Sequence, residues 1–425
     1  MTRAVVIAMA SASALGVAWL LASASPAGAQ RVDPRRPETL YVGTPSGPSP
    51  TDRIDAQRSG LTRTKLPTQG LHVAWRRSFG HTIDHAPLVL ANGEIVIIAG
   101  RGDVVTLADD GSERSRTIVG SGAAGPPTVT SDGTVVIVTS SGEAVGVRRG
   151  AVRFRTRLGG ERTLTGHISP LSLEDGGVVV ATSTELTALD AEGGVRSRGV
   201  LPEPLATPLV ATAGKVLAIT TSGVVYAWIP GREPQRVGSF GAPIDGGATL
   251  SDENTLIAIV DGNRLAALDL RRGVLVTRAQ GAGTFYLGAP AMRGPVAYLL
   301  GQTPGRTFVL ALDASGQEAQ RVLVASSAPQ TLGDGGAAPF TIPAHVSPIV
   351  DRAGTVAFAS PDGKVGVVYS GAAEALSDVL CSRASTTTKG SGGIVGIAPA
   401  TDAFLVACDT GALVKIVAGA VGTPP

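Results

Sequence analysis

The stretch GGATLSDENTLIAIVDGNRLAALDLRRGVLVTR, residues 246–278, constrains the fold more than any other feature, because the rest of the chain repeats its pattern. It reads as four short strands separated by three tight turns. TLIAIV and RLAALDL are apolar, β-rich runs joined by Asp261-Gly262-Asn263, and Arg271-Arg272-Gly273 then turns the chain into VLVTR. Turn residues between such runs are the signature of a hairpin meander.

Copies of the pattern run from residue 86 to 119, from Pro127 to Leu158, from Pro170 to Leu201 and from Pro208 to Phe240, ahead of the stretch just described. A sixth begins at Ala289, a seventh near Ser347, and a last one, a strand short, at about Gly393. Eight copies over residues 71–425 give a period of about 44 residues, within the range for four-stranded propeller blades. LHVAWRRSF, residues 71–79, is a lone strand with no hairpin partner beside it. It supplies the strand that the last copy lacks, which closes the ring and leaves few exposed edges. The fold class expected is all-β, an eight-bladed β-propeller closed by an N-terminal strand. Gly at 56 of 425 residues, 16% charged residues and 4% aromatics suit many short strands and turns.

Upstream of the repeats, Arg3, an apolar run from Ala4 to about Ala22 and small residues ending in Ala27-Gly28-Ala29 read as a secretory signal peptide, residues 1–29. No cysteine follows that run, so lipid attachment of the bacterial lipoprotein kind has no support. The mature chain is expected to be periplasmic or secreted, without a membrane span after cleavage. Residues 30–70 are rich in Pro, Gly, Arg and Thr and read as a linker or loosely packed arm, with the propeller at 71–425. The formal charge of +2 includes Arg3 of the leader, so the chain lacks the basic field that nucleic-acid binding needs.

Cys381 and Cys408 are the two cysteines of an exported chain, and an even count in an oxidising compartment permits one disulfide. Cys381 falls just after a fourth strand, and Cys408 at the end of a second strand one blade later. Those ends share a face of a propeller, so the bond is expected to pin the seventh blade to the closing one.

Blades such as SPLSLEDGGVVVATSTELTALDAEGGVRSRG resemble the propeller repeats of pyrroloquinoline-quinone proteins. The resemblance rests on Ala188-Leu189-Asp190, Ala267-Leu268-Asp269 and Ala311-Leu312-Asp313, followed by Gly193, Gly273 and Gly316. Similar repeats occur in quinoprotein dehydrogenases and in outer-membrane assembly lipoproteins of the BamB type. The enzymes of that kind imply a quinone held between a Trp and a ring of adjacent cysteines, with Ca²⁺ on acidic and amide side chains. Here Cys381 and Cys408 are not adjacent, Trp228 is the only Trp inside the eight copies, and no C-x-x-C-H is present. No cofactor is therefore expected. Neither a G-x-S-x-G elbow, an H-E-x-x-H helix nor a phosphate-binding glycine loop appears.

Candidate site residues come from equivalent positions. His167 lies three residues before Pro170, His345 three before Pro348 and His85 two before Pro87, with Asp245 similarly placed in the fifth copy. The first strand of a blade lines the central channel, so these side chains are candidates to converge on one channel mouth and bind a metal or an anion. The plainer reading is that each His satisfies a backbone carbonyl at a blade junction. The connection from Ser326 to His345 is long, as functional loops often are, and is expected on the same face. Asp-Gly pairs at 110, 132, 175, 261 and 362 need turn chemistry, not calcium. The function these features favour is a non-catalytic extracytoplasmic scaffold, a monomer with a protein partner. The alternatives are a quinone- or metal-dependent enzyme at the channel mouth and a glycan-binding module, against which the shortage of aromatics counts.

Overall fold

The structure is a computed structural model and describes residues 47–159, 169–212, 214–326, 346–361, 363–376, 381 and 393–419, apart from the side chain of Asp245. Eight sheets follow one another around a ring, and each is an antiparallel meander in sequence order, the N-terminal strand excepted. Blade 1 comprises Leu88–Val89, Ile95–Ala99, Asp103–Leu107 and Glu113–Ile118, and blade 2 Thr128–Val129, Val135–Val138, Glu143–Arg148 and Ala151–Arg157. Blades 3 to 7 begin at Leu171, Val210, Ile244, Phe285 and Ile349. Blade 8 is made of Ile394–Ala400, Ala403–Cys408 and Ala412–Ala418, with Leu71–Ser78 paired antiparallel outside them from Leu71↔Ala418 to Ser78↔Ala412. The lone strand thus closes the ring as expected.

Local chemistry explains each blade. Second and third strands such as Ile95–Ala99 and Glu185–Leu189 are packed on both faces by neighbouring blades, so they read as nearly unbroken apolar runs. Fourth strands such as Glu113–Ile118 lie at the rim and are mostly exposed. The turn joining TLIAIV to RLAALDL has positive φ at both Asp261 (52°) and Gly262 (69°), the backbone of a type I′ hairpin. Elsewhere the turn aspartates work as backbone caps: Asp175 accepts the Gly177 amide, and Asp313 accepts those of Ser315 and Gln317.

Eight apolar clusters fill the eight seams between blades. Cys381 and Cys408 form a disulfide with Cα atoms 5.4 Å apart, buried in the seam between blades 7 and 8. Among the described residues no helix is long and apolar enough to cross a membrane.

Candidate functional site at the channel mouth

The innermost strand of every blade turns an unpaired edge toward the channel, and such an edge needs a partner. The segment PSPTDRIDAQRSG, residues 48–60, supplies one. Ser49 bridges Val89 of blade 1, and the Pro50 carbonyl accepts the amide of Val129 in blade 2. The carbonyls of Ala56, Gln57, Ser59 and Gly60 then accept the amides of Ala211, Leu250, Met292 and Val350, in blades 4, 5, 6 and 7. Leu61–Thr62 continues as a short parallel strand beside Val350–Asp351, giving blade 7 a fifth strand. Residues 47–66, read from sequence as part of a linker or loose arm, therefore line the channel and pair with its walls. The reason is that they bond through backbone groups, which composition does not reveal.

Arg58 is the hub of this segment, with 1% of its surface exposed. Its Nε donates to the Leu209 carbonyl at 2.9 Å, and Nη1 to Thr51 Oγ1 at 2.8 Å and the Asp52 carbonyl at 2.7 Å. Nη2 donates to the carbonyls of Ser169 and Pro170, both at 3.2 Å, so all five donors of the fork are used. Burial lowers its pKa, and the nearby charges of Asp52 and Asp55 oppose that shift. Burial likewise lowers Arg53 to about 10, against the attraction of Asp52 and Asp55. Arg53 Nη2 donates to the Pro290 carbonyl, whereas its Nε and Nη1 are buried without a hydrogen-bond partner among the described residues. The backbone is strained at the same place: Arg53, Ile54 and Arg58 have φ of 54°, 79° and 56°. For a β-branched residue such as Ile54 that is a true outlier, and outliers of this kind cluster where the surrounding fold over-determines them.

Asp55 accepts hydrogen bonds from the Ser59 amide at 2.9 Å and from the Ser59 hydroxyl, yet burial dominates and raises its pKa. A carboxyl raised in the folded state favours folding below its unfolded pKa, and that advantage is lost as pH rises through the folded value. Asp55→Asn is therefore expected to gain stability relative to the parent chain as pH climbs from about 4 into the weakly acidic range. Urea midpoints of both proteins at stepped pH check this, and a difference that is flat with pH contradicts it.

Above the arm lies a cavity of about 170 Å³, with Asp52 and Arg53 on its floor and His85, Thr207 and Ser347 among its walls. The walls come from blades 1, 2, 4, 5, 7 and 8, so this is the channel mouth anticipated from the blade starts. His85 stands there, half-buried. His167 and His345 lie outside the described residues, as do residues 327–345 of the long connection. Asp245 pairs with Ile259 through its backbone in the first strand of blade 5, and its side chain is not described. Among the described residues no three His, Cys, Asp or Glu are placed to hold a metal ion.

The residues at the mouth do not fit a quinone gripped between a Trp and a vicinal disulfide. The Cys381–Cys408 bond is in the seam of blades 7 and 8. Trp228 is buried between blades 3 and 4 with Nε1 donating to the Arg232 carbonyl, and Trp75 sits on the closing strand with Nε1 donating to the Asp109 carbonyl. Sequence reasoning missed Asp52, Arg53 and Arg58. Their only sequence signal is a run of two acids and two arginines around Ile54, between Pro50 and Gly60, which is unusual for a solvated linker.

The family model described as "Outer membrane protein assembly factor BamB" matches residues 72–273. Among solved structures, BamB from Moraxella catarrhalis is 18% identical with a TM-score of 0.57, over 83% of this chain and 99% of that one. Quinohemoprotein alcohol dehydrogenase from Comamonas testosteroni is 13% identical with a TM-score of 0.60, over 89% of this chain and 82% of that one. The computationally designed protein Ika8 is 13% identical with a TM-score of 0.58, over 80% and 97%. No curated protein matches the chain in sequence. At these identities the structural likeness is one of fold.

Proposed function

We propose that this chain, an eight-bladed β-propeller similar in fold to BamB and matched over residues 72–273 by that family's model, works as a non-catalytic binding scaffold outside the cytoplasm, engaging a protein partner through its faces and rim. One observation carries this reading: the chain's own residues 47–66 take up the channel edges and the Arg58 side chain ties them to blades 3 and 4, so the interior is committed to structure. The surface left for recognition is the turns and the outer strands, where Ile118, Val200 and Val276 are exposed. The buried disulfide agrees with an oxidising compartment, as does the leader at residues 1–29. A monomer is the state proposed.

Native mass spectrometry of the mature protein from its exported compartment, with metal analysis and in-cell crosslinking, tests the proposal. The expected result is an unliganded mass with a reproducible protein crosslink. A stoichiometric quinone or metal overturns it. A small bound anion that vanishes in Arg53→Gln establishes the second reading, a ligand site at the mouth, which the two buried Arg53 donors favour.

A further inference from the structure

Seven of the eight seams contain an aromatic side chain, among them Trp75 between blades 8 and 1, Phe154 between 2 and 3, and Trp228 between 3 and 4. The seam between blades 1 and 2 is built from Leu, Val, Ile and Ala alone among the described residues. It also holds a cleft of about 520 Å³, open at the face that carries the turns between first and second strands.

The two facts share a cause in the outer strands. In blades 8, 1 and 2 the outer strand carries a bulge against the third strand, and the residue after the bulge faces the next blade. That residue is Trp75 in blade 8, opposite Lys415, and Phe154 in blade 2, opposite Gly146. Trp75 lies against Gly111, in the turn between the third and fourth strands of blade 1, and Phe154 lies against the matching Gly193 of blade 3. In blade 1 the same position, opposite Thr106, is Ser115, and it lies against the matching Gly150 of blade 2. The glycine that makes room for a ring from blades 8 and 2 is present, and the ring is not; blade 3 likewise carries Ser197 after its bulge, but there Trp228 of blade 4 fills the seam.

The cleft is walled by Val96, Val104, Val129, Val135 and Val147, and Arg114, Arg148 and Arg149 stand at its rim with Glu94 and Asp132. Asp132 is already engaged by Arg148 at 3.1 Å, by Arg153, by the Thr130 hydroxyl at 2.6 Å and by the Thr134 amide at 3.0 Å. Arg114 and Arg149 are exposed and make no salt bridge among the described residues. A cleft with valines among its walls and a polar rim therefore sits beside two guanidinium groups that make no salt bridge among the described residues.

We propose that the seam between blades 1 and 2 is a docking socket for an aromatic side chain on an extended, acidic segment of a partner protein. The ring takes the place that Trp75 and Phe154 fill from within, and the flanking carboxylates meet Arg114 and Arg149. The inference rests on the scaffold reading above, and names the site and the chemistry of the partner.

The test uses the mature chain and a fluorescein-labelled peptide, Asp-Glu-Phe-Asp-Asp with blocked ends, beside its Phe→Ala analogue. The expected result is at least tenfold tighter binding of the Phe peptide, with methyl resonances of Val104, Val129 and Val147 shifted. Ser115→Phe fills the socket from inside, and Phe154 is the precedent for its fitting. That variant is expected to keep or raise the melting temperature and to weaken the Phe peptide at least tenfold. Equal affinity for the two peptides, absence of binding, or binding unchanged in Ser115→Phe overturns the proposal. So does a photo-crosslinker at Asn92 that captures a second copy or the chain's own residues before Gly47. A native protein partner that still binds Ser115→Phe rejects the socket and leaves the scaffold standing, whereas a bound small molecule in place of any partner rejects the scaffold itself.

Discussion

Arg58→Ala is expected to lower the unfolding free energy by roughly 3 to 5 kcal/mol, since it strips a charged donor from five acceptors at once, four of them in buried hydrogen bonds. The loss is moderated by the desolvation that the buried cation no longer suffers. Arg58→Met restores packing without donors, so it is expected to stay close to the alanine value. Arg58→Lys keeps a charge, but one ammonium cannot reach carbonyls in blades 3 and 4 and in the arm together, so it rescues little. Urea unfolding gives the magnitude. Hydrogen exchange gives the cause: the amides of Val129, Ala211, Leu250, Met292 and Val350, which donate to the arm, are expected to lose protection before the third strands do. A loss below about 1 kcal/mol with those amides still protected would mean that the arm merely rests in the channel.

That experiment bears on the part of the molecule that sequence reasoning reads least well. The blades were legible because a meander leaves local marks: Asp261-Gly262 at a type I′ turn, TLIAIV packed on both faces, and a strand missing at one end that LHVAWRRSF replaces at the other. The disulfide was legible as well, since strand order alone places Cys381 and Cys408 on one face. The arm carries no such mark. Its contacts run through carbonyls that any residue offers, and its one specific device is an arginine buried in a stretch whose composition suggests solvent. The blade-start histidines show the converse limit. Repeat position brings His85 to the mouth, but whether imidazoles meet there depends on side-chain direction, which repeat position does not dictate. The socket at Ser115 needs both levels, because Ser115 matters only once the strands of blades 8, 1 and 2 are aligned by their bulges.

The second large effect is at the seam where the ring closes. Blade 8 pairs an early strand with late ones, and its outer strand Leu71–Ser78 is held by backbone pairing with Ala412–Ala418, by the Glu374 carboxylate on the Leu71 amide and by Trp75 packed in the seam toward blade 1. The bond between Cys381 and Cys408 staples this blade to blade 7 and closes a loop of 27 residues, which on the chain-entropy account stabilises the fold by about 3.5 kcal/mol. The double variant Cys381→Ala with Cys408→Ala is therefore expected to lose about 3 to 4 kcal/mol, because alanine leaves no buried hydroxyl to add its own penalty. Complete reduction is expected to bring the wild type down toward the variant and to leave the variant unmoved. Urea midpoints of both proteins with and without reductant separate the cross-link from packing: a variant that loses stability while the reduced wild type does not assigns the effect to the sulfur atoms' contacts in the seam. If the cross-link is what counts, a chain made where thiols stay reduced reaches its ring with the closing blade weakly held, and the fold itself then favours an oxidising compartment.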